Sequence, residues 1–295
     1  MNDKKVGLSD TMKAKTEPKS FQKNPIPGTK FTIAISSAKG GVGKSTFATN
    51  LALALKKVGC KVGLLDADIY GPSIPLMMGI EPGRKPEIRD RKFMLPIIAH
   101  DIEINSMGLL VDEKTAMAWR APMIISAFNQ ILNDTIWDNR DYLIVDMPPG
   151  TGDIQLSLSQ SAEITGALIV TTPQDVALLD ARRAIEMFKK VEVPIIGIVE
   201  NMSVHICEKC GHEEEVFGSG GGVKLATEYK TEVIGRLPLN IGVRERTDAG
   251  KPIVQSLPSN PASKAYMQLS ITLDERVSQN IASGIAKPIF SVTED

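Results

Sequence analysis

Between the apolar stretch Phe31-Thr32-Ile33-Ala34-Ile35 and a segment with apolar residues at Phe47, Leu51, Ala54, Leu55 and Val58, the chain carries Ala38-Lys39-Gly40-Gly41-Val42-Gly43-Lys44-Ser45-Thr46. The first stretch reads as a buried strand. The second has helical spacing and predicts a helix over Ser45 to Val58, ended by Gly59. A glycine-rich loop between a strand and a helix is the setting of a phosphate-binding loop, because glycines let backbone amides close around phosphate oxygens and the helix N-terminus adds partial positive charge. In such a loop Lys39, Gly40, Gly41, Val42 and Gly43 form the cradle and Lys44 bridges the outer phosphates. The Ser45 hydroxyl ligates magnesium and Thr46 lies near the inner phosphate.

The alternation continues along the chain. Lys61 to Leu65 reads as a second strand that stops at Asp66, and Tyr142 to Val145 as another that stops at Asp146. Gly166 to Val170, Pro194 to Val199 and Val233 to Gly235 read as strands, and Ala177 to Lys190 and Ala262 to Ala282 as helices. Apolar strands alternating with helices imply right-handed crossovers. The expected fold class is therefore α/β, a doubly wound, mostly parallel sheet with helices on both faces, in a single domain. Residues 1–30, rich in Lys, Ser, Thr and Pro and without apolar period, read as a flexible leader. Residues 31–285 read as the domain and 286–295 as a C-terminal tail. Within the domain, 203–222 holds a cysteine pair, three consecutive glutamates and a glycine run, and reads as an inserted surface loop.

Ligands of such sheets lie beyond the carboxyl ends of the strands, where Asp66, Asp146 and Asn201 all fall. Asp146 begins D-M-P-P-G-T-G-D and is placed to hold the magnesium shell, while its glycines supply a loop able to respond to a γ-phosphate. Asp66 and Asp68 stand in D-A-D-I-Y-G-P-S. Phosphoryl transfer depends on positioning and charge stabilisation, so carboxylates here orient the attacking water and the metal. Asp68 is expected at the water and Asp66 nearer the magnesium.

Cys207-Glu208-Lys209-Cys210 puts two thiols close together, half of what a tetrahedral zinc site or a 4Fe-4S cluster takes from protein. Three completions fit this spacing. Two pairs can meet around one cluster across a symmetric dimer, His205 and His212 can close a Cys2His2 zinc site, or the pair can be a dithiol redox switch. Cys60, between a helix and a strand, reads as a small core residue. Three cysteines in 295 residues make no disulfide framework, and the apolar runs are of strand length, too short to span a bilayer. The lysines of the leader are interrupted by Asp3, Asp10 and Glu17, and no arginine accompanies them, unlike a transit peptide. A cytoplasmic protein is expected. A net charge of -1 and 5% aromatic residues give no general attraction to nucleic acid or membrane and few stacking platforms for bases.

The glycine loop departs from the general pattern, with Ala38 at its first position and a second lysine, Lys39. In this it resembles the deviant Walker A motif of the superfamily that includes nitrogenase iron protein, septum-site and partition ATPases. That likeness implies that Lys39 reaches the phosphates of a partner subunit across a nucleotide-sandwiched dimer. More broadly, the stretch from Ile33 to about Ser256 resembles the Mrp/ApbC family of iron-sulfur cluster carriers. The motifs K-G-G-V-G-K-S-T, D-A-D-I-Y-G-P-S-I-P, D-M-P-P-G-T-G-D, T-P-Q-D, N-M-S, C-E-K-C-G and F-G-S-G-G-G carry this resemblance. It implies a homodimeric, magnesium-dependent ATPase that binds a 4Fe-4S cluster through Cys207 and Cys210 of both chains. Such a protein receives its cluster from scaffold proteins and passes it to apo iron-sulfur proteins. It also implies that Asn201 reads the adenine edge. A spatial-organising ATPase of the septum-site type, binding membrane or DNA, and a zinc-stabilised regulatory ATPase are the rival readings. From a leader of only 30 residues, the small domain that precedes the ATPase in many bacterial relatives is not expected in this chain.

Overall fold

A computed structural model describes residues 25–111, 118–207 and 209–285; the expected leader up to residue 24 and the expected tail at 286–295 lie outside these. The chain runs β1 (Thr29–Ser36), α1 (Lys44–Lys57), β2 (Val62–Asp66), α2 (Ile74–Met77), β3 (Glu87–Arg89), β4 (Phe93–Leu95), β5 (Ile97–Ala99), β6 (Ile102–Ser106), α3 (Met107–Leu110) and α4 (Ala121–Asp134). It continues through β7 (Arg140–Asp146), α5 (Asp153–Ser161), β8 (Gly166–Thr171), α6 (Asp175–Lys190), β9 (Ile195–Glu200), β10 (His205–Ile206) and β11 (Glu213–Glu214). Last come α7 (Gly221–Tyr229), β12 (Val233–Arg236), α8 (Ile241–Asp248), α9 (Ile253–Ser256) and α10 (Pro261–Ala282).

Eight strands form one sheet in the order β12-β9-β8-β1-β7-β2-β6-β5. All of its pairings are parallel except β5 with β6. β1 lies at the centre between β7 and β8, and the chain leaves it through α1 to reach β2 beyond β7. This reversal of winding direction opens a crevice at the carboxyl end of β1, and the glycine loop occupies it.

The pleat sorts the side chains between two cores. Ile33, Ile35, Leu64 and Ile144 point to one face, where Phe47, Leu51 and Leu55 of α1 and Tyr266, Leu269 and Leu273 of α10 cover them. Ala34, Leu65, Leu143 and Val145 point to the other, under Ile124 and Phe128 of α4 and Ile185 and Phe188 of α6. The Tyr142 hydroxyl donates to Asp274 Oδ1 at 2.6 Å and ties α10 to the sheet.

Each strand and helix read from periodicity is present, so the α/β fold stands. Two boundaries change. The folded unit begins before residue 31, because Ile26 packs in the core at 1% exposure and Thr29 already pairs with Arg140 of β7. The segment 203–222 is not wholly a loop: β10 and β11 form a small antiparallel hairpin, and Gly221 and Gly222 open α7. Leu51 is fully buried, so Leu51→Ala should lower stability by about 2–5 kcal/mol, measured as a reduced urea midpoint with an unchanged slope.

Candidate functional site

The phosphate loop is held in the shape that binding needs. Gly41 and Gly43 have φ of +85° and +83°, the left-handed region that favours glycine. Gly43 is also enclosed, since a Cβ there would lie 2.4 Å from Nδ2 of Asn201. That amide donates to the Val42 carbonyl at 2.8 Å, bracing the loop from beneath. The Asn201 side-chain nitrogen, expected at an adenine edge, thus has a partner in the loop itself. Lys39, Gly40 and Gly41 are exposed at the rim. A second tie runs from the Gly150 amide to the Ser37 carbonyl at 3.0 Å, joining the loop after β7 to the cradle.

A cavity of about 190 Å³ lies over the cradle, lined among others by Lys39, Lys44, Ser45, Thr46, Asp68 and Pro149. Its floor is a buried ion pair, with Lys44 Nζ 2.6 Å from Asp146 Oδ1 and 3.2 Å from the Ser45 hydroxyl. Asp146 is fully buried, and among the described residues its Oδ2 has no hydrogen-bond partner. Burial pushes its carboxyl above the usual range, against the pull of Lys44. An unpartnered carboxylate oxygen next to a P-loop serine is a donor set suited to magnesium, a hard cation that binds oxygen.

Asp66 and Asp68 stand in different surroundings. Asp66 Oδ2 accepts from the Ser106 hydroxyl at 3.0 Å and the Ile74 amide at 3.2 Å, while its Oδ1 accepts from the Asp68 amide at 3.1 Å. Both oxygens are occupied inside the protein, so Asp66 stands behind the cavity and organises the loop into α2. Asp68 is the carboxylate that reaches the cavity, and its Oδ1 also accepts from the Tyr70 and Gly71 amides. Asp68 thus faces the side from which an attacking water would come, while Asp66 lies deeper, toward Asp146. Ser106, which fixes Asp66, ends a strand that the sequence reading does not include, although Ile102-Glu103-Ile104 alternates as a strand does.

The thiols sit on the hairpin. The Cys207 amide donates to the His212 carbonyl at 2.9 Å, and the Gly211 amide to the Cys207 carbonyl at 2.8 Å, closing a tight turn with Gly211 at φ +71°. Cys207 is half-buried and Cys210 exposed. The His205 ring contacts the Leu239 carbonyl through Nδ1 at 3.3 Å, and among the described residues no three His, Cys, Asp or Glu groups gather to hold a metal. The intrachain Cys2His2 set is thus not assembled here. Burial, with the charges of Asp274 and Asp141, pushes the Cys60 thiol up to about 11, as befits an unreactive packing residue.

Burial and the neighbouring Asp146 charge raise the Asp66 carboxyl well above its ordinary value. Its ionisation therefore opposes folding above the raised pKa, and that cost fades as pH falls through it. Asp66→Asn sets an NH2 group against donors that now meet a carboxylate oxygen, so it should lower the stability of the nucleotide-free protein by about 1–3 kcal/mol at pH 5 and by less at pH 8, where loss of the buried charge offsets part of the cost; thermal unfolding at the two pH values reads the difference.

The family described as ParA: NUBPL iron-transfer P-loop NTPase matches residues 28–273. An iron-sulfur cluster carrier protein of Pseudomonas fragi is 54% identical over 250 residues, covering 84% of this chain and 87% of the relative. The iron-sulfur cluster carrier protein of Escherichia coli is 56% identical over 245 residues; the match covers 83% of this chain but only 66% of the relative. Among solved structures, a nucleotide-binding protein of Archaeoglobus fulgidus in complex with ADP superposes with a TM-score of 0.67 at 37% identity, covering 76% of this chain and 88% of that one. With the glycine loop, the aspartates and the cysteine hairpin all inside the matched span, the chain belongs to the NUBPL iron-transfer P-loop NTPase family.

Proposed function

We propose that this protein binds and hydrolyses ATP and carries a 4Fe-4S cluster between two copies of itself, delivering it to apo iron-sulfur proteins. The observation that carries the reading is a braced phosphate cradle and a two-thiol hairpin in one domain, with only five residues between Asn201 and Cys207. The names of the relatives as cluster carriers support it. A 4Fe-4S cluster takes four protein thiolates, and this hairpin offers two, so a symmetric pair of chains completes the cargo site. Apo-proteins are the recipients and scaffold proteins the source. No helix among the described residues is long and apolar enough to cross a membrane, which is in keeping with a cytoplasmic carrier.

In this reading Lys44 exchanges its Asp146 partner for the β- and γ-phosphates. Ser45 and Asp146 hold magnesium, which when bound neutralises charge on those phosphates. Asp68 orients the attacking water from the cavity wall, and Asp66 keeps Asp68 in place. Lys39, exposed at the rim, supplies positive charge to the partner's nucleotide.

Anaerobic reconstitution with iron and sulfide should give a thiolate-to-iron absorption band with four irons per two chains. Cys207→Ala and Cys210→Ala should each abolish it, and retention of the band in either variant would sink the cargo site. Lys44→Ala should lower hydrolysis by about a hundredfold or more, since it removes charge stabilisation in a buried site. Lys39→Ala and Asp146→Asn should each be inactive alone. Mixed together, they should recover about a quarter of the wild-type rate, because half of randomly paired dimers then hold one intact site. No recovery on mixing would place Lys39 in its own chain's site.

A further inference from the structure

We infer that Asn201 is a positioning residue that reports the state of the phosphate loop to the cysteine hairpin. The inference rests on the proposed nucleotide and cluster sites and adds the physical link between them. Asn201 is buried and follows directly on β9, where its backbone N–H donates to Thr171 O at 2.8 Å. Its side chain holds Val42 O, and Gly43 packs against the same amide. Any movement of Val42 as the loop closes on phosphate must displace Asn201 or break that hydrogen bond.

The chain beyond Asn201 has little slack. Met202 takes a left-handed turn at φ +55°. The Ser203 amide and hydroxyl both bond to Leu237 O, at 3.0 and 3.1 Å. Leu239 N bonds to Val204 O at 2.8 Å, His205 pairs with Glu214, Ile206 pairs with Glu213, and Cys207 N bonds to His212 O. The preceding residue is clamped too: Glu200 Oε2 accepts from Gly222 N at 2.6 Å, and its Oε1 lies 3.5 Å from Arg236 Nε. Six residue steps reach at most about 20 Å even when fully extended. Over that distance a run pinned at almost every residue moves as a unit, which is the kind of contiguous element able to couple two sites. The Asn201 side chain is the joint between this unit and the loop.

The test reads the cysteines without any cluster, so its outcome is separate from the success of reconstitution. In the cluster-free protein, Mg-ATP should change the rate at which maleimide alkylates Cys207 by about fivefold or more, with the slow Cys60 thiol as internal reference. Asn201→Asp keeps the shape but removes the donor to Val42 O, and Asn201→Ala removes both. In each, at nucleotide concentrations shown to saturate by titration with a fluorescent ATP analogue, the ratio of rates with and without nucleotide should fall to about one. A wild-type response in Asn201→Asp would overturn the relay. Independently of whether the variants fold, amide exchange across 203–207 in the wild-type protein should change when Mg-ATP is added, and unchanged exchange there would overturn it as well.

Discussion

The buried pair of Lys44 and Asp146, 2.6 Å apart, is the contact around which the rest of the structure is arranged. Lys44 opens α1 and Asp146 closes β7, so the pair joins the first turn of the helix under the cradle to the strand beside β1. Removing one partner of such a pair leaves an uncompensated buried charge, which costs about 3–5 kcal/mol. That is a strong reason for the lysine to sit on Asp146 whenever no phosphate is present. Phosphate is a competing anion, so binding it releases the carboxylate just where its unpartnered oxygen suits a cation. In the proposed ATPase, then, the loaded and empty states differ first in what neutralises Lys44.

Much of this was legible in the sequence, because it depends on local pattern. The β1 and β2 segments are short, nearly continuous apolar runs and α1 carries a period-3.6 signal, and the loop after β1 has a composition that few other structures need. Asp146 was legible for the same reason, as a charge ending an apolar run. What escaped depends on contacts between distant segments. The sequence of α4 places Ile124, Phe128, Ile131 and Leu132 on one buried face, yet without α5 and β4 against it that pattern has no partner. Ile26 lies in a stretch rich in turn residues, and only its packing reveals that the fold begins there.

The roles of Asp66 and Asp68 show the limit more sharply. Two carboxylates separated by one residue can be turned to quite different surroundings where a strand gives way to a loop, and spacing does not say which one faces the ligand. The answer lies in Ser106 and in the amide of Ile74, forty and eight residues away, which claim one oxygen of Asp66. Asn201 is similar. Its position at a strand end marks it as near the ligand, but only the fold shows that Val42 meets its amide first.

A nucleotide can alter a cargo site only through a difference in its affinity for two arrangements of the protein. In this fold that difference must be generated at the cradle, because the hairpin and the cavity share no lining residue. Two features link the cradle to the rest of the molecule: Lys39, exposed at its rim, and Val42 O, bonded to Asn201 at the start of the segment that leads to the thiols. The first makes the proposed dimer sensitive to nucleotide, and the second makes each hairpin sensitive to its own loop. A cluster held by four thiolates from two chains would feel both, since either a shift between the chains or a shift of one hairpin changes the distances among its ligands. In the proposed carrier, cluster release would therefore need no movement of the eight-stranded sheet, whose register ties β1, β7 and β8 together at the centre. It requires only that the glycine loop and the segment pinned to it have two positions, which is the smallest moving part this architecture offers.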